Sequence, residues 1–598
     1  MSVRTRLTET ARTARDSTVR VVSATTGTDG LTRRVALGGF AVATVLLTLV
    51  PLVFLLWTSL WDGYPGQFSG SFTVGNFLAV YVADAFDVTG LVTNSLFVAG
   101  GTTLVSMSIG LGFAWLLVRT NVPTKDAMEL VLISPYAVPG YIYAIMYITT
   151  YGPDHGLVTT TLVGALGLDA PPFDIFSPTG IVVVAGVDAV TSVYLLTAPA
   201  LQNMDASLEE VARIHGANIR QTVRSVTFPV ILPAILTALI IRFLLGLGEF
   251  SVVAILGARE QYEVYATAIW KAVRLRAPPE YGQAAALSIS LLLVAAVLVW
   301  YHRKVTSRKE DYMTVTGQGY QPHTWDLGKW RWPVAGALWA FMLLVWVLPV
   351  AVMVLVSVHS VWFGHVDVSS LTLSHYAEAL ANPRLRDAFV NSVLVSLAGA
   401  TIGTVLVVGL SYYTERTTYP FRGVVDFLSL SSVAIPGVIT GVSVLFTALW
   451  VGKVHPLVDL YGTLWIVVIG CVIAYIPMSS RLAIGNIVQI HTELEESARI
   501  AGATWVQQMR EVFLPLFKNT SAIIWFYLLI HIFQLITIPL MVYSSDTMVI
   551  PVKVFNVYMN TANVELVSAI STLFVGMTFL VLLSLRLFGV SFHDMNAS

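Results

Sequence analysis

The residues that could do chemistry in this chain fall into two sets. The first is a phrase written twice, Leu208-Glu-Glu-Val-Ala-Arg-Ile-His-Gly-Ala217 and Leu494-Glu-Glu-Ser-Ala-Arg-Ile-Ala-Gly-Ala503, identical at eight of ten positions. A proline follows each glycine at the same distance, Gly216 to Pro229 and Gly502 to Pro515. Carboxylates set among small and apolar residues make a binding surface rather than a reaction centre. The second set consists of ionisable and polar groups inside apolar runs: Asp188 and Glu249 in the first half, His531 and Gln534 in the second. Such groups are costly at membrane depth and are candidates for a solute pathway, with hydrogen bonding between spans as the alternative role. Two carboxylates there suit a cation. Enzymatic chemistry finds no support, because no His/Glu/Asp cluster has metal-ligand spacing and no Ser or Cys nucleophile has an evident base. The single cysteine, Cys471, lies in an apolar run as a small core residue.

The elements that must position these groups follow from composition. Hydrophobic residues make up 56% of the 598 and charged residues 12%, against about 25% charged in a soluble domain. The chain is expected to be an all-α polytopic membrane protein. With about 20 apolar residues per span, windows fall near 35–60, 94–118, 127–150, 179–201, 231–255 and 283–301, then 332–357, 389–413, 424–450, 463–482, 520–543 and 563–587. Pro139-Gly140 and Pro436-Gly437 interrupt the third and ninth.

Orientation follows from Lys and Arg in the short loops. Arginines 4, 6, 12, 15, 20, 33 and 34 precede the first span, and the loop from Tyr151 to Pro178 has acids but no Lys or Arg. Both termini are therefore expected in the cytoplasm, and so are both phrases, near Arg213, Arg220, Arg224, Arg499, Arg510 and Lys518. An external stretch with Arg259, Lys271, Arg274 and Arg276 breaks the rule. Arg33-Arg34 reads as a topological anchor rather than an export signal, since the apolar run after it is too long for one. Residues 1–30 have no apolar periodicity and read as a mobile tail.

The repeat extends beyond the phrase. Asn94-Ser95 lies 45 residues before Pro139-Gly140, and Asn391-Ser392 lies 45 before Pro436-Gly437. From there to the second phrase glutamate is 71 residues in the first half and 60 in the second, which puts an eleven-residue insertion in the loop at 151–178. An even span count makes the halves parallel. The expected organisation is a tail at 1–32, a six-span unit at 33–301, a cytoplasmic linker at 302–331 and a second six-span unit at 332–598. Within each phrase, Ser207-x-x-Glu210 and Thr492-x-x-Glu495 predict capping boxes, and Gly216 and Gly502 predict left-handed stops.

The pattern Glu-x-Ala-x-x-x-Gly, followed nine residues later by apolar-x-apolar-Pro, resembles the signature loop of ABC-importer permeases. It reads Glu210, Ala212, Gly216, Val226, Phe228, Pro229, and again Glu496, Ala498, Gly502, Val512, Leu514, Pro515. The resemblance implies two parallel six-helix repeats, about 12 transmembrane helices in all, whose phrases are cytoplasmic coupling helices. Glu209, Glu210, Ala212, Gly216, Glu495, Glu496, Ala498 and Gly502 would then dock on two separate ATPase subunits. Those subunits would bind the ATP, since the chain has no phosphate-binding Gly-x-x-x-x-Gly-Lys-Ser/Thr loop and needs no cofactor of its own. The implied partners are the bilayer and an external substrate-binding protein, with no nucleic acid. The fused plan is similar to ferric-iron and thiamine importers. Ferric iron is the favoured cargo, with thiamine, polyamine, sulfate and molybdate as alternatives. An ion-coupled secondary carrier would explain Asp188 and Glu249 but leaves the repeated phrase without a role.

Overall fold

The structure, a computed structural model, describes residues 3–83, 85–171, 173–205, 207–306, 324–419, 421–431, 435–455 and 458–587. The linker's Arg308 and Lys309 therefore lie outside the described residues. The fold is helical, and ten of the described helices are long and apolar enough to cross a membrane. They number twelve when each of two bent pairs counts as one span. In chain order the spans are Gly30–Ser59, Val88–Arg119, Lys125–Ala137 with Gly140–Tyr151, Pro178–Asp188 with Val190–Gln202, Ile219–Leu256, Tyr281–Tyr301, Gly328–Ser357, Pro383–Arg416, Gly437–Val454, Leu464–Ile487, Trp505–Gln534 and Val564–Val581.

Interruptions sit where the sequence weakens the helix. The third span bends by 107° across Val138 and Pro139, since proline disfavours a helical residue before it and has no N–H to give. The fifth span does not run unbroken to 255 as its apolar window suggests. Its helix stops at Leu247 and resumes as Ser251–Leu256, and in the break Glu249 accepts from the Val252 N–H at 3.3 Å. The eleventh span likewise ends at Gln534, before a short helix Thr537–Val542. A mobile tail was expected over residues 1–30. Instead the first helix runs Val3–Ser59, and residues 3–26 contain no glycine or proline to stop it.

Three π-helical turns, Val223–Thr227, Leu343–Val347 and Gln508–Phe513, each end two residues before a proline. A proline within a helix removes one hydrogen bond and crowds the carbonyl four residues earlier, and a widened turn relieves the crowding. Ahead of Pro349 the carbonyl left over is that of Val345. It accepts from the Tyr147 hydroxyl at 2.9 Å, while Leu344 accepts from Tyr151 at 2.5 Å. The seventh span is thereby tied to the third. The converse contact joins the first span to the ninth, where Trp450 donates to Thr58 at 3.3 Å and packs among Trp57, Trp61 and Phe68. Each repeat's opening span thus leans on the other repeat.

Glycines bring helices together, as expected where lipid leaves no hydrophobic drive between spans. A Cβ on Gly110 would lie 2.7 Å from Val193 Cβ, and one on Gly186 would lie 2.7 Å from Val105 Cβ. Gly110→Leu should therefore push the second and fourth spans apart, at a cost of about 1–3 kcal/mol or more. Gly112→Leu, where a Cβ meets nothing within 4 Å, is the control. Fluorescence-detected size exclusion should show loss of the monodisperse peak for the first only.

The basic stretch from Arg259 to Arg276 has its charges met locally. Arg259 pairs with Asp154 at 2.6 Å, Lys271 with Glu263 at 2.5 Å and Arg276 with Glu280, while Arg274 lies 4.1 Å over the Tyr543 ring. Each charge is met in place.

Candidate functional site

The two phrases fold alike. Ser207–Ile214 and Thr492–Ile500 are short helices with glutamates in the first turn, where the helix dipole favours negative charge. The capping box expected at Thr492 is not formed: His491 is that helix's N-cap and makes no side-chain bond. Capping boxes form instead past the glycine stops, at Asn218 with Gln221 and Thr504 with Gln507, and open the helices that become the fifth and eleventh spans. Both have the [Asn/Thr]-x-x-Gln signal in sequence. Ahead of the first helix, Asp205 accepts from the Ser207 N–H at 2.9 Å, which holds its carboxyl below the ordinary carboxylate range.

Each phrase helix ends in the same reversal. Gly216 has φ +84° and Gly502 +90°, and the N–H of the next alanine returns to the carbonyl five residues back, Ala217 to Ala212 and Ala503 to Ala498, at 3.0 Å. That is the left-handed stop the glycines predicted. Ahead of it, on the helix itself, an apolar outer face stands in the open, with Ile214 83% and Ile500 85% exposed and Val211 and Leu494 about half exposed. Glu496, Gly216 and Gly502 are also exposed, and Glu210, Ala212 and Ala498 are half-buried.

The first glutamate of each pair faces the other way, against the expectation that all four share one docking face. Glu209 is fully buried on Arg119, with Nη2 to Oε2 at 2.5 Å, and accepts from Thr227 at 2.6 Å. Glu495 meets Arg416 Nε at 3.4 Å and accepts from Tyr412 at 2.7 Å. A helix of two turns puts consecutive residues about 100° apart, so adjacent glutamates cannot both face outward. Arg119 and Arg416 were not singled out from sequence. Their signal was available, since they lie 297 residues apart, as Asn94 and Asn391 do.

The repeated Asn-Ser pairs also acquire a role. Ser95 Oγ accepts from the Tyr265 N–H at 2.9 Å and Ser392 Oγ from the Ile550 N–H at 2.8 Å, while Asn94 and Asn391 donate to Glu263 and Met548 carbonyls. Each pair pins the start of a short apolar helix, Tyr265–Arg274 or Ile550–Thr561.

At membrane depth the breaks of the two halves meet. A Cβ on Gly248 would lie 2.8 Å from Pro436 Cβ. Gln534, the repeat equivalent of Gly248, donates to the Ala137 carbonyl at 3.0 Å. Asp188 Oδ2 is 3.5 Å from where a Cβ on Gly140 would stand, beside Ser251. Asp188 and Glu249 are partly exposed and lie within electrostatic reach of each other and of Arg242, a residue 8% exposed. Arg242 was missed, although it is the one charged residue between Phe228 and Leu247. The equivalents in the second half are Ala474, Leu528 and Leu535, so all three charges belong to one half. His531 is instead ringed by Tyr136, Tyr475 and Tyr527, with centroids 5.2, 5.4 and 4.3 Å away. Asp188, Glu249 and Arg242 are therefore neighbours within the first half, His531 sits among tyrosines, and Gln534 bonds across to the third-span break.

Residues 106–311 match the family described as binding-protein-dependent transport system inner membrane component. A probable ABC transporter permease protein of Sinorhizobium fredii is 27% identical over 72% of this chain and 75% of its own length. A putative ferric transport system permease protein of Haemophilus influenzae is 25% identical over 72% of this chain and 66% of its own. A ferric transport system permease protein of Actinobacillus pleuropneumoniae is 24% identical, with the match spanning 61% of that relative.

Proposed function

From the match of residues 106–311 to binding-protein-dependent inner-membrane transport components and from the permease relatives, we propose that this chain is the permease of an ATP-driven importer whose ATP is bound and hydrolysed by two separate subunits. One observation carries the reading: two helices of nearly the same sequence, with the same left-handed stop and the same exposed isoleucine, one in each half. A pair of equal surfaces fits a pair of equal partners. Glu210, Ala212 and Gly216, with Glu496, Ala498 and Gly502, border those surfaces and would contact the ATPase subunits. Closure of the ATPase pair would move the helices together and shift the two six-span units, 33–301 and 332–598, between inward-facing and outward-facing states. Both termini and both helices would lie in the cytoplasm, and a binding protein would deliver cargo outside. The test is affinity purification of the chain from its native membrane. An ATPase subunit should come with it, and its absence from intact complex would refute the reading.

The cargo we propose is ferric iron. Two relatives carry ferric transport in their names, and the carboxylates of Asp188 and Glu249 are oxygen donors of the kind that hard cations prefer. Arg242 would offset one of the two negative charges while the pathway is empty. Glu249→Gln should lower ferric uptake about tenfold or more and leave ATPase association intact, since the two sites are separate. Full uptake by this variant would remove the carboxylate from the pathway.

A further inference from the structure

Glu209 and Glu495 do not face the surfaces assigned to the ATPase subunits. Each reaches the arginine that ends the second span of its own half, at Arg119 and Arg416. The carboxylate takes its hydroxyl from a different element in the two halves. In the first half Thr227 supplies it, and the matching residue in the second is Phe513. In the second half Tyr412 supplies it, and the matching residue in the first is Trp115. The neighbours have been exchanged while the ion pair has been kept. A buried ion pair is a poor source of stability compared with apolar packing of the same volume, so stability alone does not account for keeping it twice.

The same two arginines are also junctions. The Arg119 carbonyl accepts from the Trp325 N–H at 2.7 Å, just ahead of the seventh span. The Arg416 carbonyl accepts from Arg33 Nη2 at 3.2 Å, at the start of the first span. Each arginine therefore holds a phrase helix through its side chain, and through its carbonyl it holds the opening span of the other repeat.

We propose that Arg119 with Glu209, and Arg416 with Glu495, are positioning pairs that pass the displacement of each docking helix into the second span and across to the opening span of the other half. This rests on the ATP-driven reading above. The pairs touch neither cargo nor nucleotide, and they act by keeping the helix and span moving as one body.

The experiment uses the whole complex in liposomes, with its ATPase subunits and binding protein, and reads ATP hydrolysed per solute imported. In a Glu209→Gln, Glu495→Gln double variant, hydrolysis should persist while uptake falls, raising the ratio about tenfold, within the ordinary range of a coupling between sites. Exchanging the charges, with Arg416→Glu and Glu495→Arg at the more open pair, should bring the ratio back toward wild type. Should the double variant fail to assemble, Glu495→Gln alone carries the same measurement, because that pair is partly exposed. Hydrolysis and uptake falling together, with the ratio unchanged, would mean that the pairs only hold the fold, and would overturn the proposal. A wild-type chain that brings down no ATPase subunit would defeat the importer reading instead.

Discussion

Arg119→Ala should lower the unfolding free energy by about 3–5 kcal/mol, because it leaves the carboxylate of Glu209 buried without its cation. Both side chains of the pair are 0% exposed, so water cannot take the place of the lost partner. Thr227 would still donate to Glu209 at 2.6 Å, but a neutral hydroxyl offsets only part of the desolvation cost of a carboxylate. The same substitution at Arg416 should cost less, since that pair is 10% and 13% exposed and its ions are 3.4 Å apart. Removing both charges of the first pair, in Arg119→Leu with Glu209→Leu, should recover much of the loss. Thermal unfolding in detergent checks the order: Arg119→Ala lowest, Arg416→Ala intermediate, and the double variant nearest wild type. An Arg119→Ala protein that melts with wild type would show that the ion pair contributes nothing.

The second large effect is on assembly. Ile214→Asp together with Ile500→Asp should abolish copurification of the ATPase subunits and with it uptake, while leaving the permease folded. Both isoleucines are more than 80% exposed, so a charge there disturbs no internal packing. At the centre of a docked surface an apolar anchor contributes about 2 kcal/mol or more, and two such losses would weaken association by about a thousandfold. Gly216 and Gly502 should behave differently. Their surroundings are open, so Gly→Ala meets no atom, and the cost is the roughly 1–2 kcal/mol of holding an alanine in a left-handed conformation. A bulky residue at either glycine would add a projection on the docking side. If the double aspartate variant retains its ATPase subunits, the exposed faces are not where they bind.

Much of this molecule was legible in its residues. Span number, the two interruptions at Pro-Gly, the repeat and the two glycine stops all depend on local composition or on short-range geometry. A proline disrupts a helix wherever the chain goes afterwards, and apolar length alone decides what can cross a bilayer. The two halves could be aligned because the same local devices were used twice, down to the Asn-Ser pairs and the prolines after the phrases. Even so, the capping box read at Thr492 does not form, and His491 is the N-cap there. Side-chain capping needs a backbone geometry that a four-residue pattern does not guarantee.

What the tertiary structure decided is the direction in which each charged side chain faces. Glu209 and Glu210 are neighbours of the same kind, and only the packing of Arg119, 90 residues earlier, turns the first inward and leaves the second near the surface. Arg242 drew no attention as one charge in an apolar run. It became part of a group when folding brought it near Asp188 and Glu249. The crossing of the opening spans between halves depends on contacts such as Arg33 with Arg416, 383 residues apart. Sequence periodicity records which residues avoid water. Which buried charge finds which partner is fixed by long-range geometry, because Coulombic and hydrogen-bond energies depend on distances that exist only once the helices are packed.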